Sequence, residues 1–70
     1  MKVFSYKKYC EWVDTLNRSP AIRETMKKDW ACEIKNQPIM EVEKEGEKIY
    51  LCENLDGPDY IIDEKWIKEV

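Results

Sequence analysis

Apolar residues in the first part of the chain recur at helical spacing. Ser5 stands in front of them as an N-cap, because its hydroxyl can accept a hydrogen bond from the first helical turn. The spacing predicts a helix over about residues 5–17. Trp12 lies about a quarter of a turn from the centre of the apolar face, so it is either a flank of the core or an exposed aromatic. The residues that share this face, three or four positions apart, are Tyr6, Tyr9, Cys10, Val13 and Leu16.

A second helix is predicted directly after the first. Pro20 pushes Ser19 out of the helical region and is itself well suited to the first helical position. The expected helix covers about residues 20–28. From Trp30 onward, apolar and polar residues alternate for six positions. A period of two is typical of a strand, which predicts a first strand over residues 30–35.

The rest of the chain alternates between strand patterns and turn signals. Gly46 marks a hairpin turn, and the segment NLDGPD at residues 54–59 predicts a loop. A tight turn capped by Asp63 precedes the last apolar segment. The predicted strands cover about residues 39–44, 47–53, 59–62 and 66–70.

A helical hairpin followed by four or five short antiparallel strands predicts a single α+β domain over residues 1–70 with a strongly bent sheet. From Trp30 to Val70, the pattern of lengths and turns resembles SH3-like small barrels. The resemblance rests on the two hairpins and on the closing segment DEKWIKEV. It implies a bent sheet, but it does not imply polyproline binding, since the aromatic signature of signalling SH3 domains is absent.

Composition agrees with a small folded domain. The chain has 70 residues, is 43% hydrophobic and contains three Trp and four Tyr, whereas disordered chains lack such aromatics. No apolar segment has the length of a membrane span or a signal peptide, so we expect a soluble, cytoplasmic protein. So short a chain has difficulty assembling a core. The closing segment is expected to contribute Tyr60, Ile62, Trp66 and Ile67 to it.

The available side chains exclude most catalytic and metal chemistry. The chain has no histidine, which removes the usual general base and the commonest zinc ligand. Its three cysteines include no C-x-x-C pair, and an odd count argues against a disulfide framework. We therefore predict no enzyme activity, no metal and no cofactor. The cysteines are expected to be small buried apolar residues: Cys10, Cys32 and Cys52.

Charge is distributed unevenly along the chain. The net charge is −3, but residues 1–35 carry eight Lys or Arg against five acids, whereas residues 36–70 carry four Lys against ten acids. The most unusual feature is a series of alternating glutamates that begins at Glu41. One interpretation is a solvated sheet face whose charges discourage edge-to-edge pairing. The other is an acidic surface that docks on a basic groove of a partner.

A small Lys- and Glu-rich chain with helices before a tiny sheet resembles the accessory proteins of bacteriophages of low-GC bacteria, which include anti-CRISPR proteins and other inhibitors of host defence. The resemblance implies a non-enzymatic viral protein in the host cytoplasm. Its partner would be a bacterial protein that itself handles nucleic acid. The implied contact residues are Glu41, Glu43, Glu45, Glu47, Asp56 and Asp59, with Tyr50 and Trp12 as candidate aromatic anchors.

Two other functions stay open at this stage. In one, the chain is a nucleic-acid-binding module whose basic residues contact phosphates. In the other, it is a homo-oligomeric structural protein that uses Trp12 in a self-interface. The lysines that the first alternative needs are Lys7, Lys8, Lys27 and Lys28.

Overall fold

The computed structural model describes every residue from 1 to 70. The strands are β1 (Lys2–Phe4), β2 (Met40–Lys44), β3 (Glu47–Cys52), β4 (Tyr60–Ile62) and β5 (Ile67–Glu69). The helices are α1 (Tyr6–Asp14), α2 (Pro20–Lys28) and α3 (Trp30–Glu33), and a 3₁₀ helix covers Glu64–Trp66.

The strands form two small antiparallel sheets. β1 pairs with β5, and β2, β3 and β4 form a three-stranded meander in that order. The segment before β2 runs beside β1 and connects the two sheets. Phe4 N donates to Gln37 O at 2.9 Å, and Ile39 N donates to Lys2 O at 2.9 Å. β1 therefore has a neighbour on each side.

A single core joins the helices to both sheets. Its centre is aromatic: the Tyr9 ring lies 4.9 Å from the Trp66 ring and 5.3 Å from the Trp30 ring, centroid to centroid. The Trp30 ring stacks on Tyr60 at 5.5 Å. The eight buried residues of this cluster are Phe4, Tyr9, Val13, Ala31, Ile34, Cys52, Ile62 and Ile67.

The α+β class is confirmed, and the predicted order holds in part: the helices precede β2 to β5, but β1 comes before them. β1 precedes the helices and supplies Phe4, which is fully buried. Sequence pattern does not reveal this strand because three residues are too few to show a period. Its pairing partner, β5, lies at the opposite end of the chain.

The predicted strand over residues 30–35 is wrong, since α3 occupies Trp30–Glu33. Ala31 and Ile34, three positions apart, are both buried, whereas Cys32 is exposed. The inward-facing residues therefore follow helical spacing, although the sequence also fits alternation. Six positions are too few to separate the two periods.

Local capping explains the remaining boundaries. Ser19 Oγ accepts from Ile22 N at 3.3 Å, and α2 has the bounds expected from Ser19 and Pro20. α1 ends at Asp14, three residues before the predicted end, where Thr15 Oγ1 donates to the Trp12 carbonyl at 2.6 Å. β2 to β5 begin and end within a residue of the predicted limits.

The closing segment belongs to the core, as predicted. Ile62 and Ile67 are buried, and half-buried Tyr60 and Trp66 pack against the same cluster. Asp63 Oδ1 accepts from Lys65 N at 3.1 Å and caps the 3₁₀ helix. No helix of the chain combines the length and the apolar character that crossing a bilayer requires.

Candidate protein-binding surface

The three-stranded sheet has one apolar face that no other element covers. Residues opposite each other on paired antiparallel strands project on the same side. The register aligns Met40 with Leu51 and Val42 with Ile49 across β2 and β3, and Leu51 with Ile61 across β3 and β4. We call this set the open face: Met40, Val42, Ile49, Leu51 and Ile61.

Side-chain exposure agrees with this assignment. Met40 and Val42 are each 41% exposed, and Ile61 is 73% exposed. Ile49 and Leu51 are half-buried, and no residue of the open face belongs to the core or packs against it. Isolated exposed apolar residues are common in folded proteins, whereas a contiguous apolar set on one sheet face is a candidate interaction site.

The opposite face of the same sheet is covered. Cys52 and Ile62 are buried there, and the half-buried Tyr50 packs against the core. Glu41 continues this face, since it lies opposite Tyr50 in the register. The carboxylate of Glu41 accepts a hydrogen bond from Lys2 Nζ. This bond lowers the pKa of Glu41 and raises that of Lys2, although burial opposes both shifts.

The alternating glutamates do not share one surface. Glu41 and Glu43 point to the covered side, where Glu43 lies opposite Lys48, whereas Glu47 lies opposite Lys44 on the side of the open face. Glu45 is in the hairpin turn. The structure thus places basic residues beside three of the four glutamates, so that the hairpin carries mixed charge.

The hairpin turn is tight and determines the position of Glu45. Glu45 has a φ of 53° and Gly46 a φ of 82°. Two successive positive φ angles are the geometry of a type I′ turn, which suits the twist of the flanking strands. The Glu45 side chain therefore projects from the tip, away from both faces.

The loop between β3 and β4 contains the other predicted acidic contacts. Asp59 Oδ1 accepts from Asn54 N at 3.1 Å, and Asn54 Nδ2 donates to Pro58 O at 3.2 Å. Asp59 therefore orders the loop. Asp56 is exposed, and Leu55 beside it is 90% exposed. The loop follows β3 directly and lies at the end of the open face.

Neither predicted aromatic anchor lies on the open face. Tyr50 is on the covered side, with Lys2 Nζ 5.3 Å from its ring centroid. Trp12 is half-buried on α1, its ring 5.0 Å from the Trp66 ring, and Lys65 Nζ lies 4.9 Å from its centroid. Trp12 is therefore a flank of the core, which is one of the two positions that its spacing allows.

The four lysines proposed for nucleic-acid contact all have acceptors within the chain. Lys27 Nζ lies 2.7 Å from Asp14 Oδ1, and Lys8 Nζ donates to Ile67 O at 2.9 Å. Lys7 and Lys28 lie 3.9 Å from carboxylates one helical turn away, on Glu11 and Glu24 respectively. Exposed pairs of this kind are weak, but each places a carboxylate beside the lysine.

The cysteines differ in exposure, so the expectation of three buried thiols is wrong. Cys52 is fully buried, Cys10 is half-buried and Cys32 is exposed on α3. Burial raises the pKa of the Cys52 thiol to about 11. A hydrogen bond with Cys10, together with burial, raises the pKa of Tyr6 to about 12. Both groups are therefore neutral at physiological pH.

The surface has only two shallow depressions. One, of about 180 Å³, lies between Tyr50 and β5, and the other, of about 260 Å³, lies along α2 around Ile22. Sites for small molecules usually enclose about 300 to 1,000 Å³. Both depressions are smaller than that, whereas the open face is a sheet surface, which suits a macromolecule.

The chain matches no protein family, no curated protein and no solved structure.

The sequence pattern did contain a signal for the open face, since Met40, Val42, Ile49 and Leu51 are apolar at alternate positions. Alternation separates the two faces of a strand without showing which face the helices cover. The helices cover the other face.

Proposed function

We propose that this chain is a non-enzymatic protein that acts by binding another protein through the open face. The observation that carries the proposal is the contiguous exposure of five apolar side chains on one side of a regular sheet, with Met40 and Val42 41% exposed and Ile61 73% exposed. Burial of such apolar area against a partner is favourable, because it removes the area from water.

The size of the open face favours a transient complex. Strands lie about 4.8 Å apart and each residue adds about 3.4 Å. Three strands, with two open-face positions on β2 and on β3 and one on β4, therefore give a patch roughly 10 Å across. A standard interface has about 20 to 30 residues on each side. Five apolar residues with the adjoining loop and hairpin tip form only part of such an interface.

The resemblance to phage accessory proteins extends this proposal to the nature of the partner. Under that resemblance the partner is a bacterial protein, in the cytoplasm of the host, and the chain inhibits it. The mixed-charge hairpin makes direct replacement of nucleic acid by Glu41 and Glu43 a weaker mechanism than apolar docking. Glu45 at the tip and Asp56 in the loop stay accessible as additional contacts.

Partner capture with matched variants tests the proposal. Wild-type protein and the variants Val42→Lys, Ile61→Lys and Ile22→Lys are used as baits in a bacterial lysate. Ile22 is the control because it is apolar and 46% exposed, comparable to Val42, but lies on α2. We expect the same captured protein with wild type and Ile22→Lys and its loss with both sheet variants. Unchanged capture by folded Val42→Lys and Ile61→Lys would reject the proposal.

A second variant set separates apolar docking from an acidic mechanism. The triple substitution of Glu41, Glu43 and Glu45 by Lys reverses charge in the hairpin and leaves the open face intact. Loss of the partner in this variant alone would favour the acidic mechanism. Sedimentation at two concentrations tests the homo-oligomeric alternative, which predicts association that increases with concentration.

The strand arrangement supports a finer assignment of the fold as an SH3-like barrel with a helical insertion. β1 pairs with β5 on one side and with the segment before β2 on the other. That segment continues into β2, which pairs with β3, and β3 pairs with β4. A 3₁₀ helix precedes β5. In this assignment the barrel includes β1, and α1 to α3 form the connection between its first two strands. An experimental structure in which β1 does not pair with β5 would contradict it.

A further inference from the structure

We infer that the open face binds a basic amphipathic helix of the partner. The inference rests on the proposed function and adds the chemistry of the segment that docks. It depends on three observations: the apolar patch itself, the acidic loop at one of its ends, and a patch width that matches one helix.

One end of the open face is acidic. The loop between β3 and β4 carries Glu53, Asp56 and Asp59 and no basic residue. At the other end, Lys44 lies opposite Glu47 on the side of the open face, so the hairpin adds little net charge there. A partner segment with lysine or arginine beside its apolar side chains would meet opposite charge at the loop.

The dimensions match a helix. An α-helix is about 10 Å wide and rises about 1.5 Å per residue, so two turns extend about 10 Å. Apolar residues at i, i+3, i+4 and i+7 occupy that length on one side. Such a strip would cover the open face, which is roughly 10 Å across at ordinary strand spacing.

Charge argues against a second copy of this chain as the occupant. The chain has a net charge of −3, and two open faces packed together would bring two acidic loops close to like-charged surface. Only Lys44 and Lys48 near the tip would offset that repulsion. A stable dimer also needs about 20 to 30 residues on each side, far more than the open face provides.

Designed peptides test the charge preference directly. Three fluorescent 18-residue peptides serve as probes: an amphipathic Leu/Lys helix, the same helix with Glu in place of Lys, and a Leu/Lys peptide of scrambled order. Anisotropy titrations are run at about 10 mM and about 1 M salt, where the Debye lengths are about 30 Å and 3 Å. At low salt, we expect the basic helix to bind at least about tenfold more tightly than the acidic one. At high salt, it should still bind more tightly than the scrambled peptide.

Variants locate the binding. Val42→Lys should weaken binding of the basic helix at least about tenfold, with Ile61→Lys as a second variant if the first does not fold, and Ile22→Lys should not. The double variant Glu53→Gln, Asp56→Asn should reduce the preference for the basic over the acidic helix. The control double variant Glu11→Gln, Glu24→Gln removes as much charge from α1 and α2 and should leave the preference unchanged.

The outcomes separate this inference from the proposed function. Equal binding of the basic and acidic helices at low salt, or equal loss of preference in both double variants, would overturn the inference. If lysate capture still depends on Val42 and Ile61, the open face binds a protein of different chemistry and the proposed function stands. If capture is independent of both residues, the proposed function itself fails. Concentration-dependent dimerisation that hides the open face would also overturn the inference.

Discussion

The two faces of the three-stranded sheet have nearly the same apolar content and opposite environments. On the covered face, Cys52 is fully buried and Ile62 is 2% exposed, whereas Ile61, the next residue to Ile62, is 73% exposed on the open face. Both faces follow from one alternating pattern. The difference arises from the helices and β5, which pack on one side only. The comparison separates residues that stabilise the fold from residues available for recognition.

The largest effect is expected at the centre of the covered side. Trp66 lies 4.9 Å from the Tyr9 ring and 5.0 Å from the Trp12 ring. Trp66→Ala should cost about 3 to 5 kcal/mol, as truncation of large core aromatics does. Because the core of a domain this small rarely supplies more than about 3 to 5 kcal/mol, the variant should be largely unfolded at 37 °C. Urea titration followed by far-UV circular dichroism measures the change, and an unaltered midpoint would show that Trp66 is not part of the core.

The neighbouring isoleucines provide the sharpest matched pair. Ile62→Ala should lower the free energy of unfolding by about 2 to 5 kcal/mol, since it leaves a cavity in the core. Ile61→Ala should change it by about 0.5 kcal/mol or less, as exposed substitutions do. Thermal denaturation of both variants under one buffer condition makes the comparison. Similar losses in the two variants would mean that the open face is covered in the free protein.

The sequence predicted local features well and non-local ones poorly. Ser19 and Pro20 define the start of α2, and the Gly46 turn defines the β2–β3 hairpin, because each signal acts within a few residues. β1 was missed because its evidence is a pairing with β5 across the whole chain. The strand predicted from residue 30 was wrong because Ala31 and Ile34 satisfy a helical period as well as any alternation.

The candidate surface was predicted less well than the fold. The alternation indicated that Glu41 and Glu43 share one face of the hairpin, with Glu45 and Glu47 near the turn, but it did not reveal the basic residues beside them. The structure divides them between the faces and the turn, and Lys2 from β1 neutralises Glu41. That contact joins residues 39 positions apart, which no local pattern reveals. Conversely, Met40 and Val42 have the sequence character of core residues and become exposed only because the helices pack elsewhere.

Titration of the covered side gives a pH-dependent test. The pKa of Cys52 is about 11 in the folded protein, against 9.0 for an exposed thiol. Between these values the unfolded chain loses a proton that the folded chain keeps, so stability falls as pH rises. Urea titrations at pH 8 to 11 should show this fall, with a smaller slope in Cys52→Ala. Tyr6, whose pKa is raised to about 12, contributes the residual slope. If the free energy of unfolding fell with pH at the same rate in wild type and in Cys52→Ala, burial of the Cys52 thiol would be contradicted.

A smaller effect is expected at the hairpin tip, between the two faces. Glu45 has a φ of 53°, a conformation that costs an ordinary residue about 1 kcal/mol and that asparagine tolerates better. Glu45→Asn should therefore raise the free energy of unfolding by about 0.5 to 1 kcal/mol. Glu45→Ala serves as the control, because it removes the same charge without that tolerance. If both variants raised the free energy of unfolding equally, the gain would come from removal of the charge and not from the turn conformation.

Site-specific photo-crosslinking in bacterial cells that express the chain tests the central claim most directly. A photoreactive residue is placed at position 42, on the open face, or at position 22, where the exposed apolar residue lies on α2. We predict one crosslinked partner protein from position 42, lost when Ile61→Lys is added, and no such adduct from position 22. The same adducts from both positions, or none from position 42 in a folded protein, would contradict a partner-binding open face.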